Sequence, residues 1–258
     1  MRRETQRRVV SALVRICFLC MTLLVCLPQT LNANSLDRII CREQLSLARR
    51  RILSDKLATI TGLRVAFDSN GALRLESSTA HGGSQSARNL IAKALAQTNV
   101  IVLEDASNHQ DVVFARVVGA EWKHHRSEMP PAFVLLIDFA DFDHLLGDRE
   151  ALKAFDVGWA FLHELDHIVN DSADTETAHD PGDCENHINV MRRECNLPQR
   201  ANYFFTYLPS THRSDFRTRF VRLAFEQAEA LSNKHRRYWV MWDAGLVGGL
   251  PDEIATAR

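Results

Sequence analysis

Several absences narrow the class of this chain before any motif is considered. The longest apolar run, from Ile16 to Leu27, holds twelve residues, whereas a bilayer span needs about 20. Arg15 interrupts any extension of that run toward Val9. No internal repeat or low-complexity tract is present, which removes solenoid and fibrous readings. Cysteine is sparse: three of the six (Cys17, Cys20, Cys26) lie in the first 33 residues, and only Cys41, Cys184 and Cys195 follow. Basic excess is also missing. Residues 1–33 hold five of the 31 basic and one of the 32 acidic residues, so the remainder carries 26 against 31, a net charge of −5. Such a chain has little with which to grip nucleic acid phosphates.

What is present at the N-terminus reads as a removable address. Arg2, Arg3, Arg7, Arg8 and Arg15 form a basic region ahead of the apolar run, and Leu31-Asn32-Ala33 places a small residue before a cut. Residues 1–33 therefore predict a secretory signal peptide, with export to the periplasm or beyond; an uncleaved membrane anchor is the alternative. Arg2-Arg3 lacks the flanks of a twin-arginine signal, and Cys26 follows Val25 where a lipoprotein signal needs a small residue. Export permits one disulfide among three cysteines. Cys184 and Cys195 stand eleven apart on one expected helix, about 16 Å, so they do not pair with each other. No stable membrane span is expected after cleavage, and oligomeric state is not legible.

At 46% hydrophobic residues the rest of the chain can bury a core, and its pattern is that of an α+β domain. Residues 34–80 are read as a helix-and-hairpin extension and 81–258 as the main domain. The spacing predicts a helix from Leu36 to about Leu53, capped by Asn34-Ser35, with Ile39, Ile40, Leu47 and Ile52 inward. Strands at Leu63–Phe67 and Ala72–Leu75 flank Ser69-Asn70-Gly71, a hairpin signal. His81-Gly82-Gly83-Ser84, two glycines with no lysine, specifies no phosphate cradle. A helix over 86–97 leads to strands at Val100–Leu103, Val112–Val118 and Phe133–Ile137, the last a candidate edge strand for an extended ligand. A helix from Asp183 to Cys195 follows, then a long amphipathic helix over 214–234 with Phe216, Phe220, Leu223, Ala224 and Leu231 inward, and an apolar tail.

The chemistry concentrates at His163-Glu164-Leu165-Asp166-His167. Apolar residues at Leu152, Phe155, Trp159, Phe161, Leu162, Leu165, Ile168 and Val169 recur at three and four, the period of a helix. Positions i and i+4 share one helical face, so His163 and His167 can hold one Zn²⁺ from the same side. Glu164, next to the first ligand, is placed as general base toward a water on that metal.

A catalytic zinc takes three protein ligands. One class uses a third His six residues past the second, after a Gly at the third; here those positions are Ala173 and Asn170, so that class is excluded. Another places a Glu on the next helix. Glu185, eighteen residues past His167 in the first turn after Asp183, is the expected third ligand, with Asp171, Asp174, His179 and Asp183 as competitors. Asn189, one turn on, is the expected orienter of that carboxylate or of a histidine, and Asp171 and Asp166 are further candidates for that role, Asp166 being the better fit to a solvated charge. The His-Glu-x-Asp-His form is also similar to peptide deformylase. The Gly-rich segment and the cysteine that this family carries before its helix are missing, and Cys184 comes after it.

Downstream, Asn189-x-x-Arg192-x-Glu194-x-x-Leu197-Pro198-x-Arg200-x-x-Tyr203 resembles the zinc metallopeptidases of the NleD-like effector and Rhs-associated type, over residues 155–205. The resemblance implies a gluzincin-like peptidase: a zincin-like domain with a small mixed sheet, an active-site helix and a helical C-terminal half. Glu164 would be its base and a peptide or protein its substrate. Arg200 and Tyr203 match the Arg-x-x-Tyr spacing that in clostridial neurotoxin proteases stabilises an oxyanion; a plain ion pair between Arg200 and Glu194 is the other reading. Asp166 and the export signal depart from the pattern. A non-catalytic secreted domain that keeps the helix for structure, and a deformylase-like amide hydrolase, are the alternatives.

Overall fold

The computed structural model describes residues 37–75, 79–107, 109–120, 130–177, 180–208, 219–229 and 234–248. The expected signal peptide, the Asn34-Ser35 cap and His179 lie outside the described residues. β1 (Ile39–Cys41) is the first element among the described residues, and α1 (Leu47–Thr61) follows. The hairpin β2 (Val65–Phe67) and β3 (Leu73–Leu75) leads to α2 (Gln85–Ala96). Then come β4 (Val100–Asp105), β5 (Ala115–Ala120) and β6 (Ala132–Ile137). Four of these strands form one sheet in the order β1-β4-β6-β5. β1, β4 and β6 run parallel, whereas β5 pairs antiparallel with β6 and forms one edge.

Two sequence expectations fail here for tertiary reasons. The helix predicted from Leu36 begins only at Leu47. Ile39–Cys41 instead pairs with Ile101–Leu103, and the cap is Ser46, whose Oγ accepts from the Arg49 N–H. Leu47 and Ile52, expected inward, are 81% and 48% exposed. The buried face is Leu53, Leu57 and Ile60, so the helical phase was misplaced. Phe133–Ile137 is no edge strand but lies between β4 and β5. β1 pairs with β4 of the same sheet, and Leu36–Arg258 form one compact unit.

After the short α3 (Phe139–Asp143) and β7 (Leu146–Gly147), the motif-bearing segment folds as two helices, α4 (Arg149–Ala154) and α5 (Val157–Asn170). The continuous apolar period predicts one helix. Asp156 divides it, because its carboxylate caps α5 by accepting from the N–H groups of Gly158 and Trp159. α5 packs on β5, β6, α1, α2 and α6 (Gly182–Glu194). Phe161, Leu162 and Leu165 enter a core shared with Leu53, Leu57, Ile91, Ile101 and Leu135. α1 comes so close that a Cβ on Gly158 would sit 2.9 Å from both Ile60 Cδ1 and Lys56 Cβ.

Beyond α6 the chain turns to strands: β8 (Gln199–Arg200), β9 (Thr206–Tyr207), β10 (Phe220–Ala228) and β11 (His235–Asp243), ending in α7 (Ala244–Val247). Over its described part the long helix predicted at 214–234 is therefore corrected to strand β10, paired antiparallel with β11, with Val221 opposite Trp242 and Phe225 opposite Tyr238; Phe216 and Leu231 lie outside the described residues. The expected helical C-terminal half is corrected with it. Val221, Leu223 and Phe225 recur at two and are buried with Val240 and Trp242. The aromatic and β-branched partner strand Tyr238-Trp239-Val240 supplies the mate that a helix reading ignored. β7-β11-β10-β8, with β9 also on β10, make a second sheet over a second core. The whole is a mixed α+β domain. Among the described residues no helix is long and apolar enough to cross a membrane.

Candidate active site

α5 places His163 and His167 one turn apart, their Nε2 atoms 3.2 Å from each other. The Nδ1–H of His167 donates to the Ser172 carbonyl at 2.7 Å, which leaves the Nε2 lone pair pointing inward. His163 Nδ1 lies 3.4 Å from Glu185 Oε2, an acceptor that favours the same tautomer. Asp174 closes the arrangement, with Oδ1 3.2 Å from His163 Nε2 and Oδ2 3.4 Å from His167 Nε2. Two inward lone pairs and a carboxylate at one point repel one another unless a cation sits between them. Burial opposes charge on both imidazoles, yet Asp174 and Cys184 outweigh it and push His167 up to about 11 and His163 well above its ordinary value. Burial would raise the Asp174 carboxyl, but the two histidines hold it far below the usual range. A protein that demands positive charge at this point fits a divalent metal.

The group of candidate ligands that the fold gathers does not include Glu185, the expected third one. His163, His167, Asp174 and Cys184 bring candidate ligand atoms within 4.8 Å of one another. Glu185 stands behind them: wholly buried, it pairs with Arg192 and, at 3.0 Å, with Arg200. Burial alone would raise Glu185; the two guanidiniums hold it well below the carboxylate range. It stands beside His163 Nδ1, outside that group. Asp174 sits on an irregular loop that carries no periodic signal. The loop is pinned by Gly182 at φ 80°, where a Cβ would lie 2.6 Å from the Thr175 nitrogen. The Cys184 N–H also donates to the Ala173 carbonyl at 3.3 Å.

Cys184 reaches the site because α6 folds back on α5, although it follows the motif in sequence. Its Sγ is 3.4 Å from His163 Nδ1 and donates to the His163 carbonyl at 3.3 Å. All three cysteines among the described residues are free, so the expected option of a bridge through Cys41 is not taken. Burial pushes the Cys41 thiol up to about 12.

The supporting residues divide into kept and corrected assignments. Asp166, which fitted a solvated charge, is wholly buried; it accepts from Ser172 Oγ and from Asn170 at 2.5 Å, and His187 Nδ1 lies 2.9 Å away. Asp166 thereby fixes the residue whose carbonyl orients His167. Asp171 is an exposed left-handed cap with φ 53° and orients nothing. Asp183 is exposed as well. Asn189 brackets the backbone of Arg200, accepting from its N–H at 2.7 Å and donating to its carbonyl at 3.0 Å. Glu194 does not pair with Arg200; it accepts from Ser84 and Ser86 at the start of α2.

Glu164 is half-buried, and its carboxylate accepts from the Val117 N–H of β5. Burial is the main influence and raises its pKa, against the pull of His163 and His167. Tyr203 lies with its ring 6.3 Å from that of His163, and its hydroxyl hydrogen-bonds Asp174. Burial and then Asp174 raise the phenol's pKa. Arg200 donates to Glu185, to the Asn202 carbonyl at 3.2 Å and to the Tyr203 carbonyl, with its guanidinium 4.7 Å from the Tyr203 ring centre. It is spent on holding Tyr203. Compared with known proteins, the chain matches no family model, no curated protein and no solved structure.

Proposed function

We propose that the protein is a metal-dependent peptidase, with His163, His167 and Asp174 as the ligands of a Zn²⁺ and Glu164 as its base. The observation that carries this reading is the pair of inward Nε2 atoms 3.2 Å apart, each with its Nδ1 beside an acceptor and both within 3.4 Å of Asp174. A divalent cation there would supply a Lewis acid for a carbonyl and lower the pKa of a neighbouring water. Glu164 takes the proton of the attacking water and returns it to the leaving amine, and its burial-raised pKa brings it nearer the operating pH that a base needs. Tyr203 offers a hydroxyl to the charge that develops on the carbonyl oxygen. Arg200 is its positioning residue. β5, the outer strand of its sheet among the described residues and beside Glu164, suits an extended peptide by strand addition. This chemistry agrees with the zincin-like resemblance in its motif and base, and departs from its gluzincin form in the third ligand. With residues 1–33 read as an export signal, the substrate is met outside the cytoplasm.

Metal analysis tests the reading. One zinc per chain is expected, lost on His163→Ala or His167→Ala, together with chelator-sensitive cleavage of a peptide library; metal-replete protein without zinc contradicts it. Cys184 supports a second reading. Were its thiolate a fourth ligand, the site would be closed and structural, as in a non-catalytic binding domain. Cys184→Ser separates the two: the peptidase keeps its zinc and its cleavage, whereas a closed site loses metal affinity by orders of magnitude.

A further inference from the structure

Beside the proposed centre, and sharing residues with it, lies a chamber of about 430 Å³ whose aromatic wall the reaction itself does not use. Its lining includes His163 and Glu164, so whatever fills it lies against the reacting bond. Besides Tyr203, six aromatic rings wall it: Phe114, Phe155, Trp159, Phe204, Phe205 and Trp242. The rings are set by mutual packing, with Phe114 edge-on to Phe155 at 5.0 Å and to Trp242 at 5.1 Å, and Phe205 at 5.3 Å from Trp242. Preorganised walls keep such a space open for an occupant and do not let it collapse. For scale, a dry apolar cavity of about 150 Å³ accepts benzene.

The two guanidiniums in the wall are already committed. Arg192 donates to Glu185, to Asn189 and to the Ala154 carbonyl, and faces the Trp159 and Phe225 rings. Arg200 is held by Glu185 and two carbonyls. A charged occupant would have to break these pairs, whereas an apolar one meets rings. Phe114 adds an independent sign of construction. It adopts φ 64°, a left-handed backbone that a bulky residue rarely takes. Two hydrogen bonds hold it there: its N–H donates to Asp141 Oδ2 at 2.8 Å, and its carbonyl accepts from the Asp138 N–H at 2.9 Å. Val113, Phe114 and Ala115 line the chamber and run straight into β5. Peptide edge and chamber are thus continuous.

We infer that this chamber is a specificity pocket that takes a bulky aromatic side chain of the substrate, next to the bond that is cut. The inference rests on the peptidase reading, and binding tests it without turnover. The probes are acetylated Ala-Ala-Ala-X-Ala-Ala amides with X as Phe, Leu, Ala, Asp or Lys, titrated by tryptophan fluorescence into the zinc-loaded Glu164→Gln variant. Transfer of an aromatic ring into an apolar pocket makes the Phe peptide about 10- to 100-fold tighter than the Ala peptide. Filling the chamber with Ala160→Phe brings that ratio close to one. If this variant misfolds, the ratio in Glu164→Gln alone still decides. Equal binding of all five peptides, tightest binding of Asp or Lys, or no binding overturns the pocket. Wild-type protein that prefers the Phe peptide without cutting it sinks the peptidase reading and leaves the pocket standing; protein that cuts all five alike does the reverse.

Discussion

Glu185→Ala and Asp174→Ala should fail in opposite ways, and the contrast tests which carboxylate serves the metal. Glu185 is wholly buried between Arg192, itself 2% exposed, and Arg200. Its loss strands guanidinium charge in the core, which costs about 3–5 kcal/mol for a broken buried pair. For a folded unit of this size, at about 2–4 °C per kcal/mol, the midpoint of thermal unfolding falls by about 6–20 °C. Asp174 is on a loop with its side chain 36% exposed, so in excess chelator Asp174→Ala lowers the midpoint by less than Glu185→Ala does, the loss being the carboxylate that pairs with His163 and His167. Its zinc affinity, however, drops by more than about 100-fold, since removing even an outer partner of a ligand costs 10- to 100-fold. Thermal melts in chelator and competition with a fluorescent zinc indicator read the two quantities separately. A folded, zinc-free Glu185→Ala beside an Asp174→Ala that binds zinc normally would refute the assignment.

Two further predictions concern the supports of the site. Gly182→Ala puts a Cβ 2.6 Å from the Thr175 nitrogen at a left-handed backbone position, so it should displace the Asp174 loop and weaken zinc binding about 10-fold or more; unchanged affinity would show that the loop is not held there. Burial pushes Asp141 up to about 6 from 3.8, against the Phe114 N–H that it accepts. The native state then binds more protons than the unfolded chain between pH 4 and 6, so ionisation of Asp141 removes stability as pH rises through that window. Asp141→Asn should therefore gain at most about 3 kcal/mol over wild type at pH 8 and nothing near pH 4, read from urea midpoints; a gain confined to acid would reverse the sign.

Legibility in the sequence followed range. α2, α6 and β4 came out within two residues, because their signals are local: the Ser84 cap of α2, the Asp180-Pro181-Gly182 break before α6 and the apolar run of β4. His163, Glu164 and His167 were readable for the same reason: one helical turn sets their spacing. Asp174 stood only as one of four competitors, because its loop is held by Gly182 of the next helix and by contacts that leave no period. Cys184 was discounted on chain order, yet the packing of α6 on α5 decides its place. Leu223 and Ala224 fit a helical face as well as a strand, and only pairing with β11 resolves them. The Asn189–Arg192–Glu194 pattern pointed to a built region, and its residues hold backbone, core and the start of α2 instead of touching the reacting atoms.

The account stands most directly on Glu164. Zinc-loaded wild type and Glu164→Gln, compared on the same peptide library with zinc measured in each, should hold equal metal while cleavage falls by about 10²- to 10⁴-fold, the usual contribution of a general base. Equal cleavage by the two proteins at equal zinc would contradict it.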